Sequence, residues 1–302
     1  LMENVYLEAI DNTNKMANSV EEFELDVSFK YPKVYEDDVS ELKNRLNIML
    51  IEKIENGIIP IEEKQQFITN LREEVRVFEK IQMCGFMLFM SDLIKWCHDN
   101  NIPTGPGRGS CCGSSVAYVL DIIDVNPVKW NTVFSRFANE DRKEIGDIDT
   151  DFAPDDRDAV YNHMIETFGE DYTDYILAIG TVSDKGCIDE IGRALHKKTG
   201  NDIYSLENMK KIKKEYEINP DKAKEEYSEL FYYFDGMINT KISQSMHPCG
   251  MVVSPITLPD NYGELRREGK KILQIDMEAV HEVSLVKYDL LGLANVGIIK
   301  DA

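Results

Sequence analysis

The chain has 302 residues, with 34 Lys+Arg against 55 Asp+Glu, a formal net charge of −21 and a hydrophobic fraction of 43%. This length suits about two domains with a substantial core, and the composition excludes a disordered tail. No run approaches the roughly 18 apolar residues of a membrane helix, six cysteines are too few for a disulfide scaffold, and the acidity argues against simple wrapping of nucleic acid by opposite charge.

The opening Leu1-Met2-Glu3-Asn4 carries no basic region followed by an apolar stretch, which predicts a cytoplasmic chain with reduced thiols and no membrane partner. Leu42, Leu46, Met49, Leu50 and Ile54 recur at helical spacing, with Ser40 and Lys43 at the helix start. Pro60 reads as the first-turn proline of a second helix through Phe67, Leu71, Val75, Phe78 and Ile81. Gly85 interrupts, and Met87, Leu88, Leu93, Ile94 and Trp96 resume the pattern. This half reads as scaffold.

Gly105, Gly107 and Gly109 at alternate positions exclude a regular helix, and Cys111 to Ile123 is a helix candidate with Ser110 near its cap. A glycine-rich backbone, Arg108, Ser110 and then a helix N-terminus form a pattern that favours an anion. Its spacing fits neither GxGxxG nor a Walker A loop. A plain turn is the alternative, with Gly109 and Gly113 serving close packing.

Asp147 to Phe152 alternates as a strand does, with Asp147, Asp149 and Asp151 on one face. Carboxylates two apart on a strand lie about 6.6 Å from one another and repel, and a divalent cation relieves that repulsion; hard oxygen ligands suit Mg²⁺. A solvated acidic strand is the bland alternative. A calcium loop is disfavoured, since Phe152 stands where that loop needs Gly and Asp158 where it needs Glu. Arg157 to Phe168 then reads as a helix, with Val160, Tyr161, Met164 and Phe168 on one stripe.

From Gly192 to about Phe234 the sequence is helical and rich in Lys, Tyr and Glu. Lys185, Arg193, Lys197, Lys198, Lys210, Lys211, Lys213 and Lys214 outnumber Asp189, Glu190, Asp202 and Glu207, making this window the one basic island of an acidic chain. Strand-like runs follow at Met251–Val253, Ile272–Ile275 and Leu285–Tyr288, the last leading into Asp289 and Leu290-Leu291-Gly292. Asp289 alone reads as the cap of a following helix; Lys287 falls on its face of the strand.

Gly105–Ser115, Gly146–Phe152 and Val286–Leu293 resemble, in this order and at similar separations, the palm of bacterial replicative DNA polymerase III alpha subunits, the C family. Val133-Phe134-Ser135-Arg136-Phe137-Ala138-Asn139, Ile179-Gly180-Thr181, Ile191-Gly192-Arg193-Ala194-Leu195 and His247-Pro248-Cys249-Gly250-Met251-Val252-Val253 add to the match, as does Asp11-Asn12-Thr13. The departures are Gly146 in place of Pro, Cys111-Cys112 in place of two alanines, and Asp189 where many members carry Arg.

The resemblance implies an α+β fold: a nucleotidyltransferase-like palm with a small mixed sheet covered by helices, plus an inserted helical thumb. The expected divisions are palm over 1–178, thumb over 179–246 and second palm segment over 247–302, with fingers beyond and a phosphoesterase-like domain before residue 1. It implies that Asp147, Asp149 and Asp289 hold two Mg²⁺ ions, with Mn²⁺ as substitute, for transfer of a nucleotidyl group from dNTP to a primer 3′-hydroxyl. Gly109, Ser110, Arg136, Arg108 and Lys287 are expected at the triphosphate, the basic window along duplex backbone, and other replisome subunits on domains outside this chain. Asp151 reads as a brace for its neighbours and His247 as an orienting residue. The chain alone is expected to be nearly inactive without fingers. Another metal-dependent nucleotidyltransferase and a non-catalytic interaction module are the alternatives.

Overall fold

The computed structural model describes residues 2–22, 24–140 and 148–302. Helices fill the first half: α1 (Met2–Asn18), α2 (Asp38–Glu55), α3 (Lys64–Lys80), α4 (Cys84–Asp99) and the short α5 (Ser115–Val119) and α6 (Pro127–Trp130). There follow β1 (Thr150–Phe152), α7 (Arg157–Phe168), β2 (Thr173–Thr181), α8 (Asp184–Thr199), α9 (Leu206–Ile218), α10 (Pro220–Glu226) and α11 (Ser228–Met237). The chain closes with β3 (Lys241–Val253), α12 (Leu258–Tyr262), β4 (Glu264–Arg267), β5 (Lys270–Asp276), α13 (Met277–Glu282), β6 (Val286–Gly292) and α14 (Ala294–Asp301). Among the described residues no helix is long and apolar enough to cross a membrane.

Among the described residues the fold is α+β around one mixed sheet of six strands in the order β1-β6-β3-β2-β5-β4. β1 runs parallel to β6 and β2 parallel to β5, while β2–β3, β3–β6 and β4–β5 are antiparallel. The sheet is larger than the small one expected from sequence, because β4 and β5 extend it on the side away from β1. Strand alternation sends Val286, Tyr288 and Leu290 into the main core, where Tyr288 meets Phe86 and Phe89 of α4. Leu285, Val252 and Ile176 pack on the other face, under α12 and α13.

The helical half departs from the pattern reading where polar contacts override periodicity. α2 is capped by Asp37, whose side chain accepts from the Ser40 amide, so the helix begins before Ser40. The break between α3 and α4 falls at Gln82, at φ 61°, and Gly85 lies inside α4. Gly85 is there for space: a Cβ on it would sit 2.6 Å from Asp38 Oδ2 and 2.7 Å from the Pro32 carbonyl oxygen. The helix expected over Cys111 to Ile123 is a 3-10 turn over Gly109–Gly113, followed by α5 capped by Ser114.

α8 to α11 bury a core of their own, with Cys187, Ile188, Ile191, Met209, Leu230, Phe231 and Phe234 at its centre. This unit is inserted between β2 and β3. The ribbon closes beneath it through the Val182 amide to Thr240 O at 3.0 Å and the Asn239 amide to Val182 O at 3.2 Å.

Candidate active site

β1 is short, and its place in the sheet is fixed by β6: Thr150 pairs with Leu290, Asp151 with Leu291 and Phe152 with Gly292. Thr150 and Leu290 are both buried. Asp149 and Asp289 therefore occupy the register positions immediately before that pair, on chains that run parallel about 4.8 Å apart. Two residues far apart in sequence, Asp149 just before β1 and Asp289 on β6, are thus brought close together at the end of the β1–β6 pairing. Asp147 lies outside the described residues, and among the described residues no three His, Cys, Asp or Glu side chains cluster as a metal-ligating group.

Each described carboxylate faces a side-chain cation. Arg108 reaches Asp149 at 3.5 Å and Asp151 at 3.2 Å, which places both aspartates on one side as a period of two requires. Lys287 Nζ lies 2.7 Å from Asp289 Oδ2. The strand continues through Asp289 to Gly292, so this aspartate caps no helix.

Opposite Asp289 on β3 stands Gly250. A Cβ there would lie 2.9 Å from Ile176 Cδ1, 3.0 Å from His247 Nδ1 and 3.4 Å from Lys287 Cδ, so the glycine makes room for the histidine and the lysine stem. The β2–β3 register shifts at this point, and His247 Nδ1 accepts from the Gly250 amide at 2.8 Å and the Cys249 amide at 3.3 Å. The neutral ring thus carries its proton on Nε2. Burial lowers the His247 pKa, Asp289 opposes that shift and Lys287 adds to it. From α7, Tyr161 donates to the Cys249 carbonyl at 3.0 Å and Arg157 to that of Pro248, holding the bulge in place.

The glycine-rich segment is tied to the same strand. The Gly105 amide donates to Asp151 O at 2.8 Å, and Thr104 bridges to Phe152. Gly109 adopts φ 66°, a left-handed conformation that L side chains rarely take, and the site of its absent Cβ is 3.9 Å from Asp149 Oδ2. Ser110 follows in the 3-10 turn. Gly113 packs against the Val133 carbonyl, which sets the turn carrying Arg136 beside the glycine-rich segment.

The helix N-terminus expected to attract a phosphate is already occupied by a carboxyl group. The Glu74 carboxylate, from α3, accepts from the Ser114 hydroxyl at 2.6 Å, the Ser115 amide at 2.8 Å and the Val116 amide at 3.0 Å. Burial pushes the Glu74 carboxyl up to about 7 against these three donors. Its sequence signal was its position, four residues before Phe78 and three after Leu71 on the buried stripe of α3. The anion-favouring part of the segment is left to Gly109, Ser110 and Arg108, upstream of α5.

The basic window lies on α8 and α9, and half of it is paired among the described residues. Lys185 meets Glu217 at 2.5 Å, Arg193 meets Glu190 at 2.5 Å, Lys211 meets Glu215 at 3.7 Å and Lys213 meets Asp189 at 2.6 Å. Glu215 and Glu217 fall just beyond the window counted in the sequence. Lys197, Lys198, Lys210 and Lys214 are exposed.

The profile of the bacterial DNA polymerase III alpha NTPase domain matches residues 41–292. The chain belongs to this family. Among curated members it is 33% identical over 316 residues to the DNA polymerase III subunit alpha of Ureaplasma parvum serovar 3, an alignment covering 96% of this chain and 31% of that one. The corresponding subunit of Buchnera aphidicola is 34% identical over 250 residues, covering 78% of this chain and 21% of that one. That of Escherichia coli K12 is 30% identical over 256 residues, covering 79% and 22%. The chain thus spans between a fifth and a third of the length of these polymerase III alpha subunits. The family match runs through the glycine-rich segment, both described aspartates and the histidine bulge.

Proposed function

We propose that this chain is the palm and thumb of a DNA-directed DNA polymerase, acting on primed template DNA and dNTP. The palm spans 1–178 and 247–302 and the thumb 179–246, the latter built on the inserted helices α8 to α11. The observation that carries the reading is the parallel β1–β6 pairing, which sets Asp149 beside Asp289. Two carboxylates brought together by this register, Asp149 just before β1 and Asp289 on β6, offer oxygen donors that fit a hard divalent ion.

Asp149 and Asp289, with Asp147, would hold two Mg²⁺ ions, for which Mn²⁺ can substitute. When bound, the ions supply acidification of the 3′-hydroxyl and charge neutralisation at the transferred phosphoryl group. Arg108, Gly109, Ser110, Arg136 and Lys287 are assigned to the triphosphate: backbone amides and cations there orient it without regard to the base. Asp151 braces Arg108, and His247 orients the β3 bulge without moving a proton. The exposed lysines of α8 and α9 are assigned to duplex backbone, a contact indifferent to sequence. Other replisome subunits would bind portions of the polymerase outside this chain, in the cytoplasm.

The test is primer extension by the chain joined to the remaining parts of its polymerase. Asp149→Ala and Asp289→Ala are each expected to abolish template-directed extension, and the chain alone to extend poorly. Template-independent addition would favour another nucleotidyltransferase. Wild-type extension by either variant would refute the assignment.

A further inference from the structure

Lys287 and Asp289 lie on one face of β6, and their side chains are only 7% and 11% exposed. An ammonium has three protons to donate. Besides Asp289, its neighbour here is the Met277 sulfur at 3.9 Å, a weak acceptor. His247, next to both, turns its Nδ1 lone pair to backbone amides and offers the lysine no charge. Among the described residues the lysine charge is therefore balanced at a single carboxylate, and that carboxylate is one of those assigned above to a divalent cation. Two cations a few ångströms apart in a nearly enclosed site repel far more strongly than they do in water.

We propose that Lys287 is a resident counter-cation of the metal site, which occupies Asp289 in the metal-free chain and lowers the site's affinity for divalent ions until it is displaced. The inference rests on the reading of Asp289 as a metal ligand. In the metal-free chain Lys287 acts on the site through Asp289. Arg108 stands in the same relation to Asp149, but at 3.5 Å and with 48% of its side chain exposed its charge is screened.

The experiment is titration of the 302-residue chain with Mn²⁺, following free ion by its electron paramagnetic resonance signal, with melting curves to verify folding. Lys287→Met should bind Mn²⁺ about tenfold more tightly than the parent, since the competing charge is gone. Lys287→Arg keeps the charge and should stay within about twofold of the parent. Lys287→Gln, also uncharged, should behave as Lys287→Met and serves if the methionine variant folds poorly. Asp289→Asn should lose the site. Unchanged or weaker binding in both uncharged variants, with binding still lost in Asp289→Asn, overturns the proposal alone. Parent-like binding by Asp289→Asn overturns the metal reading and the proposal with it.

Discussion

Glu74 and Asp174 are the two buried acids whose environments bear most on stability. Glu74 satisfies donors at the start of α5, whereas Asp174 on β2 is fully buried and, among the described residues, both its oxygens lack a hydrogen-bond partner. Burial, reinforced by Glu264 and opposed by Lys271, raises Asp174 to about 7. Both acids then bind a proton more tightly folded than unfolded. Their contribution to stability is fully present below the ordinary carboxylate range near pH 4 and is lost as pH rises through about 7. Denaturant unfolding at pH 5 and pH 8 should show the parent losing stability with rising pH. Asp174→Asn should remove part of that loss and be the more stable protein at pH 8, by on the order of 2–3 kcal/mol. Glu74→Ala should lower stability by roughly 2–4 kcal/mol, since it orphans two amides and a hydroxyl at once. An acid on an apolar helical stripe is visible in the sequence; which donors it meets depends on a segment some forty residues away, and spacing along one helix carries nothing about that.

At the scale of elements, α7 was legible from end to end: its apolar stripe and limits agree with the structure, Pro154 opens the turn before it and Gly169, at φ 95°, closes it. The alternation of Asp149 and Asp151 was legible too, and Arg108 now touches both. The adjacency of β1 to β6 was not legible in periodicity, because pairing between distant strands is decided by the packing of Thr150 and Leu290 into a shared core; only the family resemblance anticipated it. Gly113 was read as serving close packing, and the structure supplies it, against a turn in place of a helix. Its Cβ would fall 2.5 Å from the Val133 carbonyl oxygen and 2.8 Å from its carbon, both backbone atoms that cannot swing aside. Gly113→Ala should therefore separate the two turns and lower the unfolding free energy by roughly 1–3 kcal/mol in denaturant titration. A parent-like midpoint would mean the turns move apart freely.

Across the whole molecule, a net charge of −21 coexists with a nucleic-acid role only if positive charge is concentrated. The concentration is weaker than a residue count over 185–214 implies, because Glu217, Glu190, Glu215 and Asp189 each occupy one of its cations. Replacing Lys197, Lys198, Lys210 and Lys214 together by Ala should weaken binding of primed duplex and flatten its dependence on salt. The same change at Lys185, Arg193, Lys211 and Lys213 should do less, as their charges are already balanced. Equal effects of the two sets, measured by fluorescence anisotropy over a salt series, would contradict this division. The helical insertion, with a core of its own at the end of the β2–β3 ribbon, gives these lysines a platform separate from the carboxylates on β1 and β6.

The convergence of those carboxylates is tested most directly by metal-centred cleavage. Fe²⁺ loaded in place of Mg²⁺, with ascorbate and peroxide, cuts backbone close to the bound ion, and mass spectrometry maps the cuts. Cleavage is predicted in three segments at once: around Asp149, around Asp289 and around Gly109. Cuts confined to one of them, or scattered over the acidic surface, would show that Asp149 and Asp289 do not share a cation site.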